Sequence, residues 1–161
     1  MTTELYKICT LDQGALFVMP KPCKDNLDRD IKYYKSQGVT KVISLLLPNE
    51  VKKLGMQAEA ESCEINGLDF LSFSIKDMSV PELTELQIIN QQLKQDLQDG
   101  HQLAIHCHGG RGRAGIVAIT LMQEFEFDAD SAIAMASKAR GDRMPVNDIQ
   151  TNFVKSYFSQ A

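Results

Sequence analysis

A cysteine and an arginine with five residues between them stand in the stretch HCHGGRGRAG at positions 106–115, here called the glycine-rich loop. Four of the chain's 10 glycines fall between positions 109 and 115. Glycine adopts positive φ without steric cost and lets a ligand approach the backbone closely. A loop of this kind before a helix points several backbone N–H groups at one anion. The stretch therefore predicts an anion site that contains a thiol, Cys107, and a guanidinium, Arg113.

These two side chains are suited to nucleophilic attack on a phosphate ester. A free cysteine, with a pKa of about 8.5, is mostly protonated at neutral pH, whereas a helix N-terminus and nearby cations lower a cysteine pKa to roughly 3.5–7.5. The planar arginine fork binds two phosphate oxygens at once, which lysine cannot do. We therefore predict that Cys107 is the nucleophile and that His106 tunes its thiolate through hydrogen bonds. We predict that the phosphate is bound by His108, Gly109, Gly110, Arg111, Gly112 and Arg113.

The elements that must position this loop are a predicted strand at 102–106 and a predicted apolar helix at 116–125. Strand and helix patterns alternate along the rest of the chain, which favours right-handed crossovers and a parallel sheet. We predict an α/β fold, a single domain over residues 1–161, with a mainly parallel central sheet and helices on both faces. The other predicted elements are a hairpin at 6–9 and 15–19, strands at about 41–47 and 68–75, and helices at about 26–37, 49–67 (broken near Gly55), 81–100, 130–140 and 148–158. The last helix carries Ile149, Phe153 and Tyr157 on one face.

A carboxylic acid follows the predicted strand at 68–75. The leaving oxygen of a phosphate ester needs a proton, and a carboxylic acid is a common donor. Asp77 lies just past the strand, and in a parallel sheet this end faces the same edge as the glycine-rich loop. An aspartic acid in water is mostly ionised at pH 7. The hypothesis that Asp77 is the general acid predicts either that the folded protein holds this proton more tightly or that activity is highest at acidic pH.

The motif Cys-x5-Arg preceded by histidine resembles the HCx5R signature of the cysteine-dependent protein phosphatases. The chain is most similar to their small dual-specificity branch, the kinase-associated phosphatase type, and the likeness extends over about 26–158. It rests on the segments GVTKVISLL (38–46), IKDMSVP (75–81), HCHGGRGRAG (106–115) and IQT (149–151).

The resemblance implies hydrolysis of phosphotyrosine, and of phosphoserine or phosphothreonine, in a phosphorylated protein through a phosphocysteine intermediate. It independently assigns the general acid to Asp77. The chemistry of a phosphocysteine intermediate requires no metal and no organic cofactor, so we expect neither. Family members usually have Ser or Thr directly after the arginine, where this chain has Ala114, which predicts slower breakdown of the intermediate. Gln150 is a candidate for positioning water. Arg111 adds a cation at the pocket rim, which would favour substrates with extra negative charge, including phosphoinositides.

Composition limits the alternatives. The chain has 161 residues and a net charge of −4, so it has no basic excess with which to bind nucleic acid non-specifically. The longest apolar run, 116–122, is too short to span a membrane, and residues 1–10 lack the apolar stretch of a secretory signal. The 4 cysteines stand at irregular spacings without a CxxC pair, which favours reduced thiols. We expect a cytoplasmic monomer that binds neither nucleic acid nor membrane.

Other interpretations of the same residues remain open at this point. A rhodanese-like sulfur transferase also places a cysteine on a loop after a strand, and a phosphoprotein-binding module without activity would keep the loop. Asp77 could instead favour a helix N-terminus electrostatically. Lys138, Arg140 and Arg143 are expected to form a solvated helix end. Cys9, Cys23 and Cys63 are expected to be inert, although any of them could act as a resolving thiol for Cys107.

Overall fold

The strand that leads into the glycine-rich loop lies at the centre of a five-stranded sheet. The computed structural model describes residues 4–159. The strands are β1 (Tyr6–Leu11), β2 (Gly14–Met19), β3 (Lys41–Ser44), β4 (Asp69–Ser72) and β5 (Gln102–His106), in the order β1-β2-β5-β3-β4. Strand β1 is antiparallel to β2, and the remaining pairs are parallel. The prediction of a mainly parallel sheet is confirmed.

Seven α-helices are assigned in the described residues and connect or cover these strands. They are α1 (Leu27–Ser36), α2 (Pro48–Lys53), α3 (Glu59–Ile65), α4 (Leu83–Gln98), α5 (Arg113–Gln123), α6 (Ala129–Arg140) and α7 (Asp148–Lys155), with one 3-10 turn at Lys24–Asn26. No helix in this part of the chain is long and apolar enough to cross a membrane.

Strand β5 is buried on both faces, as expected for a central parallel strand. Its side chains alternate between two apolar layers, because successive residues of a strand point to opposite faces. Leu103 and Ile105 pack in the layer that contains α4, α5 and the end of α7, whereas Ala104 packs in the layer with α1 and Cys63 of α3. Helices on both faces therefore fix the position of the strand and of the loop that follows it.

The predicted boundaries are close, with differences at the element ends. Strand β3 ends at Ser44 rather than at Leu47, although the Leu45 N–H still donates to the His106 carbonyl oxygen at 3.0 Å. Helix α5 begins at Arg113, earlier than the predicted 116, and its first three residues are all buried. The sequence pattern missed this turn because Arg113 and Gly115 are untypical of a buried helix.

The predicted face of the last helix is wrong in its first turn. Ile149 is 67% exposed, whereas Gln150 and Val154 are buried. Tyr157, past the end of α7, is buried and its hydroxyl donates to Glu124 at 2.7 Å. The inward face of α7 therefore begins with a polar side chain, Gln150, whose amide hydrogen-bonds to the backbone of two loops.

Candidate active site

The glycine-rich loop is attached on two sides to the neighbouring strand ends. The Leu45 N–H beyond β3 donates to His106, and the Lys21 N–H beyond β2 donates to the His108 carbonyl oxygen at 3.2 Å. Gly110 has φ +76, and a Cβ there would lie 2.5 Å from the Met19 carbonyl carbon and oxygen, so only glycine fits. Cys107 is 3% exposed at the base of this loop.

Arg113, in the first turn of α5, is 1% exposed and held by a carboxylate from α2. Its Nη1 and Nη2 donate to the two Glu50 carboxylate oxygens at 2.7 and 3.1 Å, and Nη1 also donates to the Ile75 carbonyl oxygen at 3.1 Å. These bonds leave Nε and one hydrogen on Nη2 for the oxygens of an anion. The guanidinium is thus oriented before any ligand is bound.

The charges around Arg113 stabilise its cationic form. Burial would lower the pKa of the guanidinium, but the Glu50 hydrogen bonds and the charges of Cys107, Glu50 and Asp77 raise it overall. Burial would raise the pKa of Glu50, but the bonds from Arg113 and from the Leu47 N–H lower it overall. The site therefore keeps a fixed cation beside Cys107, as a phosphate site requires.

Asp77 reaches the same cavity from the loop that follows β4, here called the Asp77 loop (residues 76–81). Its carboxylate lies 3.5 Å from Arg113 Nη2, and the side chain is 65% exposed. Cys107, Arg113 and Asp77 line one cavity of about 400 Å³. The structure thus brings the three predicted catalytic residues together.

The predicted binding residues lie around the same cavity with one difference. His108, Gly109, Arg111 and Gly112 line it, whereas Gly110 faces the backbone of Met19 and Pro20. Position 110 is therefore glycine because the backbone of Met19 and Pro20 leaves no room for a Cβ, and not because a ligand needs the space.

A buried carboxylate supports the residue before Cys107. Glu59 of α3 and His106 are 1% and 0% exposed, and Glu59 Oε2 lies 2.5 Å from His106 Nε2. The other ring nitrogen, Nδ1, lies 3.1 Å from the Cys107 carbonyl oxygen. His106 thus contacts the backbone of Cys107.

Sequence reasoning missed both Glu50 and Glu59, because no spacing relates them to the HCx5R motif.

The expectation that Arg140 belongs to a solvated helix end is wrong. Arg140 lines the cavity, its Nη2 donates to the Gly109 carbonyl oxygen at 3.1 Å, and its guanidinium lies 4.3 Å from the centre of the Tyr6 ring. Arg111 also lines the cavity, at its rim, and pairs with Asp142 at 2.6 Å. The cavity wall therefore carries two arginines besides Arg113.

Gln150 is fully buried and lines the cavity, but its amide is bonded to backbone. Its Nε2 donates to the Ser79 carbonyl oxygen at 3.1 Å, and its Oε1 accepts from the Val146 N–H at 3.3 Å. The proposed role of Gln150 in positioning water remains a prediction, and these two contacts assign it a structural one as well.

Two of the remaining cysteines are weak nucleophiles at neutral pH. Burial raises the pKa of Cys9 to about 11, with Lys7 opposing it, and burial and the nearby Glu59 charge raise the pKa of Cys63 to about 12. Within residues 4–159, no group of three or more His, Cys, Asp and Glu side chains is placed to hold a metal ion.

The chain belongs to a phosphatase family. The family model described as "polymorphic toxin system, DSP-PTPase phosphatase" matches residues 18–126, which include the end of β2, all of β3, β4 and β5, and the whole glycine-rich loop. The predicted resemblance to the dual-specificity cysteine phosphatases is confirmed.

Two relatives agree with this class. Protein tyrosine phosphatase domain-containing protein 1 of Bos taurus is 31% identical over 147 residues, which cover 84% of this chain and 18% of that protein. Cyclin-dependent kinase inhibitor 3 of Rattus norvegicus is 26% identical over 120 residues, covering 74% of this chain and 55% of that protein. The chain thus spans about half the length, or less, of these relatives.

Solved structures share the fold. Kinase-associated phosphatase, crystallised with serine in place of its catalytic-site cysteine, superposes with a TM-score of 0.88 at 20% identity and covers 99% of this chain and 96% of its own. PTPMT1 in complex with PI(5)P superposes with a TM-score of 0.76 at 21% identity, covering 97% and 95% of the two chains. The predicted fold class is confirmed.

Proposed function

We propose that this chain is a protein phosphatase domain, spanning residues 1–161, that hydrolyses phosphotyrosine and also phosphoserine or phosphothreonine. The observation that carries the proposal is the convergence of Cys107, the Glu50-held Arg113 and Asp77 in one cavity of about 400 Å³. A nucleophile, a fixed phosphate-binding cation and a proton donor are the groups that phosphomonoester cleavage through a covalent intermediate requires.

The reaction proceeds in two displacements. The Cys107 thiolate attacks phosphorus, the phosphorus–oxygen ester bond breaks, and Asp77 donates its proton to the leaving oxygen. Arg113 and the loop N–H groups stabilise the equatorial oxygens of the transferring phosphoryl group. Asp77, now ionised, takes a proton from water as that water attacks phosphorus. The sulfur–phosphorus bond then breaks, and inorganic phosphate and the Cys107 thiolate are released.

Trapping the covalent intermediate tests this proposal. Rapid acid quenching during turnover of a ³²P-labelled phosphotyrosyl peptide is expected to leave label on the protein, at Cys107 in a peptide digest. Cys107→Ser is expected to lower turnover by at least about a thousandfold, since the covalent route needs the thiolate. Cys63→Ser, at a buried cysteine outside the site, is the matched control and is expected to stay active. Turnover by Cys107→Ser at the unsubstituted rate would contradict the proposal.

The class of substrate rests on separate support. The relatives are named as protein tyrosine phosphatases or as a kinase inhibitor, and the kinase-associated phosphatase shares the fold. We therefore expect a phosphorylated protein as substrate. A substrate-trapping variant, Asp77→Ala, is expected to retain phosphorylated proteins from a lysate and to release them when vanadate occupies the site.

A phosphoinositide is the second candidate substrate, and the arginines of the cavity wall favour it. Arg111 and Arg140 add positive charge where a headgroup with further phosphates would lie. PTPMT1 has the same fold and has been crystallised with PI(5)P. Release of phosphate from short-chain phosphoinositides at a kcat/KM above that for phosphotyrosyl peptides would favour this candidate over a protein substrate.

Simple assays distinguish the proposed phosphatase from two alternative functions. A rhodanese-like enzyme transfers sulfur from thiosulfate to cyanide and would not need Asp77. A phosphoprotein-binding module would bind phosphopeptides tightly without vanadate-sensitive hydrolysis. The proton donor beside Arg113 supports phosphate hydrolysis over both, because neither alternative protonates a leaving oxygen.

A further inference from the structure

The Asp77 loop is held by side chains that come from the start of α7. Asn147, the N-cap of α7, donates from Nδ2 to the Met78 carbonyl oxygen at 3.1 Å. Gln150 donates from Nε2 to the next carbonyl oxygen, that of Ser79, also at 3.1 Å. These two side chains, here called the amide pair, thus bond successive peptide groups directly after Asp77.

The orientation of both side-chain amides is fixed by the hydrogen bonds that their oxygen atoms accept. Asn147 Oδ1 accepts from the Gln150 N–H at 2.8 Å as the helix cap, so its nitrogen must face Met78. Gln150 Oε1 accepts from the Val146 N–H, so its nitrogen must face Ser79. Gln150 is 0% exposed, which means that the loss of its bonds is not compensated by water.

The loop itself has a backbone conformation that needs support. Met78 has φ +62, which lies in the left-handed region that residues other than glycine, asparagine and aspartate rarely adopt. Such conformations persist where the surroundings determine them, and they concentrate at functional sites. Asn147 supplies that support at Met78 itself, since it binds the carbonyl group of this residue.

The amide pair also connects the Asp77 loop to the glycine-rich loop. A Cβ on Gly112 would lie 3.2 Å from Gln150 Oε1 and 3.1 Å from a Val146 methyl group, so Gln150 packs directly against the residue before Arg113. One side chain therefore contacts the loop that carries the acid and the loop that carries the phosphate-binding arginine.

We infer that Asn147 and Gln150 are positioning residues that set the distance and direction of Asp77 relative to the leaving oxygen. The inference rests on the proposed function and adds to it a reason why the acid, on an exposed loop, reaches the site in one geometry. General acid catalysis depends on hydrogen-bond contact with the proton acceptor, so a small displacement of the loop lowers the rate.

The test compares substrates that depend differently on the acid. Asn147→Ser keeps a good N-cap but is too short to reach Met78. We expect it to lower kcat/KM for phenyl phosphate, a poor leaving group, by about tenfold, and for 4-nitrophenyl phosphate by less than about twofold. Gln150→Met, which has a side chain of similar volume, is expected to show the same pattern as Asn147→Ser, with the larger loss of kcat/KM on phenyl phosphate. Asn152→Ser, the same change at an exposed position of α7, is expected to change neither.

A double-mutant cycle separates positioning from a structural role. In an Asp77→Asn background, Asn147→Ser is expected to have no further effect, because the group that it positions is absent. An unchanged tenfold loss in that background, or equal losses on both substrates, would overturn the inference. Hydrogen exchange of the amides at 78–80 is expected to quicken in Asn147→Ser without global loss of protection.

Failure of the inference is distinguishable from failure of the proposed function. If Asp77→Asn impairs phenyl phosphate turnover and Asn147→Ser does not, the amide pair has no positioning role and the proposed function stands. If Cys107→Ser and Asp77→Asn both retain full activity, the proposed function itself fails, and the inference fails with it.

Discussion

The two loops of the site are supported in different ways. In the glycine-rich loop, Cys107 and Arg113 are at most 3% exposed, and the loop contacts β2, the end of β3 and helices α2, α3, α6 and α7. In the Asp77 loop, the Asp77 side chain is 65% exposed and Met78 is 56% exposed. In the described residues, the side chains that bond to this loop from other elements include Arg113, which pairs with Asp77 at 3.5 Å, and Asn147 and Gln150 at the start of α7, which bond to its backbone.

This difference matches the tasks that we propose for the two loops. Stabilising a doubly charged phosphoryl group requires donors and cations that do not reorganise during the reaction, which a buried framework provides. A proton donor must meet leaving groups of different size and position, and loops that close over a substrate are drawn from less stable parts of a fold. Substitutions in the two loops should therefore differ in the kinetic step that they change.

The largest effect is expected in the exposed loop. Asp77→Asn keeps the size of the side chain but cannot donate the proton, so kcat for phenyl phosphate is expected to fall by about a hundredfold. Steady-state kinetics of the two proteins on phenyl phosphate check this, with Asp99→Asn, an exposed aspartate near the opposite end of β5 from the loop, as control. Equal kcat values for the Asp77→Asn variant and the unsubstituted chain would contradict the assignment.

A smaller and uniform effect is expected in the buried framework. Glu50→Gln weakens the carboxylate that holds Arg113, and we expect kcat/KM to fall about tenfold for good and poor leaving groups alike. A loss confined to the poor leaving group would show that Glu50 acts through Asp77. Glu61→Gln, at an exposed glutamate of α3, is the matched control.

The ion pair between Glu50 and Arg113 also predicts how the stability of the folded protein depends on pH. Arg113 and the Leu47 N–H lower the pKa of Glu50 in spite of its partial burial, so the pair stabilises the folded protein above the ordinary glutamate pKa of about 4.3. That contribution is lost as the pH falls through the lowered value and Glu50 is protonated. Urea unfolding at about pH 7 is therefore expected to show Glu50→Gln less stable than the unsubstituted chain, and unfolding at about pH 3 to show a smaller difference.

The sequence predicts the parts of the site that lie close together in the chain or at strand ends. Cys107 and Arg113 belong to one motif, and Asp77 follows from the rule that parallel strands end at one edge. Glu50 and Glu59 were missed because their roles arise only when α2 and α3 pack against the glycine-rich loop. Local sequence contains no trace of such contacts.

The same limit explains the errors at α6 and α7. Arg140 stands in the last turn of α6, where a basic residue also favours the helix dipole, and the chain gives no sign that β1 brings the Tyr6 ring beneath it. Ile149 fits an apolar periodicity, yet Gln150 takes the inward position because two loop backbones need its amide. Polar residues that satisfy buried backbone groups are invisible to a hydrophobic pattern.

The smallest effect is expected where the buried framework departs from its family. Ala114 is fully buried beside Arg113, at a position where the related phosphatases usually carry Ser or Thr. A serine hydroxyl there would donate to the Cys107 thiolate as the sulfur–phosphorus bond breaks, and one such bond of about 1 kcal/mol corresponds to about a fivefold faster step. Rapid-quench measurement of Ala114→Ser is expected to show faster decay of the phosphocysteine with the rate of its formation unchanged. Ala118→Ser, one turn further along α5 and equally buried, controls for the cost of burying a hydroxyl. If decay is unaltered, the thiolate needs no hydroxyl in this site, and the loop N–H groups and Arg113 are sufficient to stabilise it.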